Sequence, residues 1–304
     1  MLKIKRVLVP TDFSDCAQRA YELALHICSE FNAHLTVLHA RVLFADDPNK
    51  IPVNFQEVKQ HEEEIDHFLL NRLQEKTTDA AKILPIEQKI TRGYSAAPAI
   101  LEYIQENSVD LVVMGTHGHT GLSHFLLGSV AEQVVRYSPC PVITLRQEAG
   151  IVAKPQRILI PFDFSDLAKK AFQYALNFAG KFDSKIDLVY VVEEDVHPAL
   201  YAWGLKSIKD LIPDIERRVE KSFKSTIETE RADSRNIAYY VLAGKPHREL
   251  INFAKENGHD LIIIATHAYS GIDKFLLGSV TEKIIRAAQC AVLTLKLDER
   301  EIID

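Results

Sequence analysis

Cysteine is scarce in this 304-residue chain. Its four cysteines, Cys16, Cys28, Cys140 and Cys290, are too scattered for a disulfide framework, and no CxxC pair suggests a zinc site. No apolar window approaches the roughly 18–20 residues that span a membrane. An excess of positive charge is also missing. The chain has 36 basic and 42 acidic residues, a net charge of −6, so composition gives no nucleic-acid footprint. The opening MLKIKRVLVPTDFSD meets a proline and an aspartate after one short apolar run, unlike a signal peptide. These absences together lead us to expect a reduced, cytoplasmic protein without membrane or nucleic-acid partners. Three catalytic or nucleotide signatures are absent too: GxxxxGK[ST], GxSxG, and a GxGxxG after the first apolar run.

What is present is a repeat. KRVLVPTDFSD at 5–15 returns as QRILIPFDFSD at 156–166, and residues 115–146 align with 265–296 without a gap, 15 of 32 positions being identical. Chance does not produce that agreement, so the chain is a tandem duplication with its joint near EAGIVAKPQ, 148–156. The expected domains are 1–148 and 154–304. The copies differ in charge: residues 1–150 carry 14 basic and 19 acidic side chains and eight of the twelve histidines, whereas the remainder carries 22 basic and 23 acidic.

Each copy alternates apolar strands with amphipathic helices. Strands are expected at Arg6–Val9, His34–Ala40, Ile86–Thr91, Asp110–Met114 and Val142–Leu145, and at their counterparts in the second copy (Arg157–Ile160, Lys185–Val192, Ile237–Leu242, Asp260–Ile264, Val292–Leu295). Ser14 and Ser165 read as helix N-caps. Ala17, Ala20, Ala24, Ile27 and Phe31 form the stripe of the first helix. A longer helix near Asn54, with Glu57 as capping partner, has a stripe of Val58, Ile65, Phe68, Leu69 and Leu73. Further helices are expected at Ala97–Asn107 and Ser129–Tyr137. The fold class is α/β, two tandem Rossmann-like domains, each a five-stranded parallel sheet flanked by helices.

Ligands of such sheets sit at the carboxyl ends of strands, where strand order reverses. Two loops qualify chemically: Pro10-Thr11-Asp12, and the segment Gly115-Thr-His-Gly118, nine residues, Gly128-Ser129. Glycines let backbone N–H groups approach an oxyanion, and a helix start at Ser129 adds amides, a favourable dipole and a hydroxyl.

These motifs, with the tail SVAEQVVRYSPCPVITLR, resemble the universal stress protein family in its tandem two-domain form, over essentially the whole chain. The resemblance implies binding of ATP or another adenine nucleotide (ADP, AMP), with magnesium as a possible companion. It implies that Asp12 contacts ribose or a phosphate-bound metal, that the backbone near Ala40 reads adenine, and that Gly115, Gly118, Gly128 and Ser129 hold phosphates. Pro10, Thr11, Met114, His117 and Val130 complete the expected lining. It also implies pairing of the two halves through their apolar last strands, and a homodimer of the chain.

The second copy departs from the pattern. Ala265 and Ala268 replace the first two glycines while Asp163, Gly278 and Ser279 remain, so weak nucleotide binding, none, or a different ligand is expected there. In the first copy His119 and His124 stand where the family commonly carries arginine or lysine, and the second has Tyr269 and Lys274. With His117 they are three histidines within eight residues, expected to be solvated or ligand-adjacent rather than a metal site. Cys140 and Cys290 read as buried packing residues. The run from His61 to His67 reads as a solvated face, and Tyr201 and Trp203 as a pocket cover or loop anchor. No general base can be assigned, so a regulatory nucleotide receptor is expected rather than an enzyme. The alternatives are a nucleotide-independent interaction protein and a slow magnesium-dependent ATPase.

Overall fold

The computed structural model describes residues 3–42, 55–118, 127–152, 154–193, 212, 214–230, 236–266 and 277–296. Its contacts fall into two compact units that meet in sequence at Gln147 and Glu148.

In the first unit, strands β1 (Arg6–Pro10), β2 (His34–Val42), β3 (Ile86–Gly93), β4 (Leu111–Gly115) and β5 (Val142–Leu145) alternate with helices α1 (Asp15–Phe31), α2 (Phe55–Thr77), α3 (Ala96–Glu106) and α4 (Ser129–Tyr137). All strands pair in parallel, in the order β3-β2-β1-β4-β5. The second unit repeats this with β6 (Arg157–Pro161), β7 (Lys185–Glu193), β8 (Ile237–Gly244), β9 (Leu261–Ala265) and β10 (Ala291–Leu295). Its described helices are α5 (Asp166–Phe182), α6 (Ile215–Thr229), α7 (Pro246–Glu256) and α8 (Ser279–Ala287), and its order is β8-β7-β6-β9-β10. The expected α/β class and five-stranded parallel sheets are therefore present.

The central strands are apolar because both faces are covered: Val7, Leu8, Val9, Leu111, Val112 and Val113 are all buried. The start of β4 lies one residue later than its apolar run suggested. Asp110 is occupied in receiving the Lys5 and Arg6 amides at 2.8 and 2.9 Å, and Asp260 accepts from Gln156 and Arg157 at 2.9 and 3.3 Å. These clips tie the first strand of each unit to the fourth. Ser14 and Ser165 cap their helices as expected, each accepting from an amide three residues on at 3.2 Å.

Helix α2 departs from its apolar stripe. Leu73 is buried, but Ile65 and Phe68 are 42 % and 64 % exposed. The inward face instead presents Glu62 and Asp66 to the strand arginines Arg41 and Arg92, with Arg41 Nη1 donating to Asp66 Oδ1 at 2.8 Å. The expectation of a solvated acidic face fails at those two positions, because Arg41 is buried and draws the carboxylates inward. Asn54 and the side chains of Glu57 and Val58 lie outside the described residues.

A second polar cluster belongs to the second unit. Buried Asp187 on β7 accepts from Arg157 Nε at 2.9 Å and meets His259 Nε2 at 2.8 Å, while Arg157 Nη1 donates to the Asn257 carbonyl at 2.8 Å. The equivalent positions of the first unit are Arg6, Thr36 and Val109. All four cysteines are free and buried, including Cys140 and Cys290. Among the described residues, no helix is long and apolar enough to cross a membrane.

Candidate functional site

Strand order reverses between β1 and β4, and a cavity of about 360 Å³ opens where these strands end. Its wall includes all eleven residues picked out from the sequence: Pro10, Thr11, Asp12, Ala40, Met114, Gly115, His117, Gly118, Gly128, Ser129 and Val130. The two candidate loops thus face one another across the reversal.

The β1 end is a rigid turn. Thr11 N donates to the Leu38 carbonyl at 2.8 Å and Thr11 Oγ1 accepts from Phe13 N at 3.0 Å. Phe13 takes a left-handed φ of 67°. Asp12 Oδ1 accepts from both the amide and the hydroxyl of Ser14, at 3.0 and 2.6 Å. The carboxylate is therefore oriented by the same serine that caps α1.

On the other side α4 begins at Ser129, with Gly128 as its N-cap and no side-chain hydrogen bond capping it. Helix α1 closes its first turn with its own serine, whereas the first amides of α4 have no such lid and lie at the cavity wall. That arrangement suits an oxyanion.

The glycines are needed by internal contacts as well. A Cβ on Gly115 would lie 2.7 Å from Cys16 Sγ and 3.0 Å from the Cys16 carbonyl carbon. One on Gly118 would collide with Asp12 Oδ2, and one on Gly128 would lie 2.9 Å from the Thr116 carbonyl oxygen that accepts the Gly128 amide. Glycine spacing therefore reflects three close approaches inside the protein, not only room for a ligand.

Two polar lining residues, His39 and Thr116, escaped the sequence reading. His39 places Nδ1 2.8 Å from the Thr11 carbonyl oxygen, with its ring centroid 5.0 Å from that of Phe13. Arg72 stacks on the same Phe13 ring, 4.3 Å from its centroid. Buried Thr116 pairs its hydroxyl with His117 Nδ1 at 2.8 Å. The repeat of Thr-His at 266–267 was the available signal for Thr116; His39 had none, since Tyr190 replaces it in the second copy. His119, His124, Tyr269, Lys274, Ala268, Tyr201 and Trp203 lie outside the described residues. No cluster of three or more metal-holding side chains exists among the described residues.

The second unit has a cavity at the corresponding place, about 470 Å³, lined by Asp163, Ala265, Gly278 and Ser279 among others. Replacement of the first glycine by Ala265 has not filled it. Among the described residues, the nearest neighbour of a Cβ on Gly278 would be Thr281 Oγ1, 3.8 Å away, so the close approach seen at Gly128 is relaxed here.

A sequence profile described as the universal stress protein family matches residues 3–146 and again 154–296. The chain is 33% identical over 149 residues to a universal stress protein of Methanocaldococcus jannaschii, covering 48% of this chain and 85% of that protein. It is 24% identical over 274 residues to one of Mycobacterium bovis, covering 86% and 87%. A crystal structure of a universal stress protein from Archaeoglobus fulgidus superposes with a TM-score of 0.66 at 21% identity, over 96% of each chain.

Proposed function

The chain belongs to the universal stress protein family, and from that premise we propose that its first unit is a receptor for ATP or another adenine nucleotide, whose occupancy switches conformation or partner binding during stress. What supports this reading is the convergence of both candidate loops on one cavity beside the uncapped start of α4. Backbone amides and the Ser129 hydroxyl hold phosphate, the Asp12 carboxylate meets ribose, and the wall near Ala40 accepts the base. No lysine or arginine is among the described lining residues, so phosphate recognition rests on oriented dipoles rather than on cations.

Among the described lining residues, Asp12 is the single carboxylate. A magnesium ion accompanying ATP fits here only with one protein ligand, phosphate and water supplying the remainder of its shell. Two bonds from Ser14 bind Asp12 as an orienting acceptor and suit it poorly to act as a general base. The site therefore reads as a binding device without turnover.

Calorimetric titration of the full chain with ATP tests the proposal, together with analysis of small molecules released when the purified protein is denatured. One equivalent bound is expected, weakened about fivefold in Ser129→Ala by loss of one hydroxyl hydrogen bond. Gly118→Ala, which drives a methyl group onto Asp12, is expected to abolish binding. No heat at millimolar ATP and no adenine nucleotide released overturn the reading.

A further inference from the structure

Strands β3 and β8 hold the same place in the fold with different chemistry. β3 lies at one end of the first unit's strand order and β8 at the corresponding end of the second's. Residues 86–93 of β3 align without a gap with 237–244 of β8. β3 carries Glu87, Lys89 and Arg92, whereas the same positions of β8 hold Ala238, Tyr240 and Ala243. Charge along an edge strand opposes the addition of another strand. On β3 that charge is organised, Lys89 pairing with Glu87 at 2.8 Å and Arg92 with Asp66.

β8 has lost these guards and gained no others. It contains neither a charged residue nor a proline, and its register with β7 runs from Ile237 to Gly244 without a bulge. Each of its eight residues is partly open to solvent, whereas β5 and β10 are buried along their whole length. About half the amides and carbonyls of a strand paired on one side point away from its neighbour. Among the described residues, no backbone group of β8 has a hydrogen-bond partner outside the β7 ladder. The edge is also held in shape. Tyr239 stacks on Phe223 of α6 at 5.3 Å, and Tyr240, on the other face, packs on Phe253 of α7 at 4.7 Å. A strand fixed in this way accepts another at little ordering cost.

We propose that the β8 edge is a docking surface for β8 of a second copy of this chain, the two strands pairing antiparallel about a two-fold axis. Such a pairing satisfies both edges at once and closes on itself. Charge selects this occupant over the chain's other open edge. β3 of a second copy would bring Glu87, Lys89 and Arg92 against a strand with no opposite charge to meet them. A single pair of eight-residue strands buries less than the roughly 1,200–2,000 Å² of a standard interface. The dimer is therefore weak, with a Kd of about 10–100 µM. It does not depend on nucleotide in the first unit.

Sedimentation velocity of the full chain from about 1 to 500 µM, a span that brackets that Kd, tests the proposal together with hydrogen exchange at both extremes. A reversible monomer–dimer equilibrium is expected, with amides of 237–244 gaining protection as concentration rises and those of 86–93 unchanged. Ala238→Lys combined with Ala243→Lys, which returns charge to two of the guarded positions, is expected to weaken the dimer about tenfold. Ala238→Ser with Ala243→Ser, which adds none, should leave it as it is. If the lysine variant fails to fold, the exchange of the wild-type chain decides. A chain that stays monomeric at the highest concentration overturns the proposal. So does a dimer that forms without added protection of 237–244, or protection there that is the same at both extremes, which means that the edge is covered within the chain.

Discussion

Cys16 Sγ lies where a methyl group on residue 115 would have to go. Gly115→Ala is therefore expected to destabilise the first unit by about 1–3 kcal/mol through overpacking. Cys16→Ala in the same chain should return part of that loss, since the sulfur is the nearest obstacle, though the Cys16 backbone at 3.0 Å remains. Chemical denaturation of the two single variants and the double variant measures the coupling. The same residue scale governs the thiols. Burial pushes the Cys28 and Cys290 thiols up to about 12, and Cys16 and Cys140 are buried as well. Fewer than about one thiol per chain is expected to react with a disulfide reagent near pH 8 in the native state, and all four in denaturant; rapid native reaction of several thiols contradicts the packing described.

Among the elements, α2 separates what the sequence made legible from what it did not. Helix α1 followed from its alanine stripe and from Ser14, because local propensity, capping and burial agree there. The strand ladder followed from apolar runs and alternation; the reversal between β1 and β4 did not, and was anticipated only from the chemistry of the two loops that flank it. The inward face of α2 did not follow, because its orientation is set by Arg41 and Arg92 on other strands, and helical spacing carries no information about distant partners. For the same reason the glycines were read as ligand space while their internal neighbours, Cys16, Asp12 and Thr116, stayed hidden. Asp66 supplies the test. Partial burial pushes its carboxyl up, but hydrogen bonds from Arg92 and Arg41 outweigh this and hold it below the usual 3.8. A depressed folded value means the contribution is complete above the unfolded value and disappears as pH falls through the folded one. Asp66→Asn is expected to cost about 1–3 kcal/mol at pH 7. Urea midpoints should show wild type and variant converging below about pH 4. A gap that stays constant down to pH 2 rules out the ion pair as its source.

Over the whole molecule, the two units share a sheet plan, a strand clip and a helix cap, but each has its own buried polar cluster. Asp187→Ala leaves His259 and Arg157 without their common acceptor, and is expected to destabilise the second unit by about 3 kcal/mol. Thr36→Ala, at the equivalent position of the first unit, should cost about 1 kcal/mol. Denaturation curves of the full chain compare the two; equal costs mean that Asp187 is not the anchor its contacts suggest. These unshared clusters bear on how a duplicated chain avoids tangling. During synthesis and refolding, β2 and β7 each meet two half-built sheets of nearly the same shape, and exchange between copies is a characteristic failure of repeat proteins. Beside β6, β2 would offer Thr36 to a buried histidine and an arginine that need a carboxylate. Beside β1, β7 would bury Asp187 with no histidine near it and replace Arg41 by Val192, stranding Asp66. Divergence at a few interior polar positions thus gives each strand an address, and sorting of the copies is written into their cores.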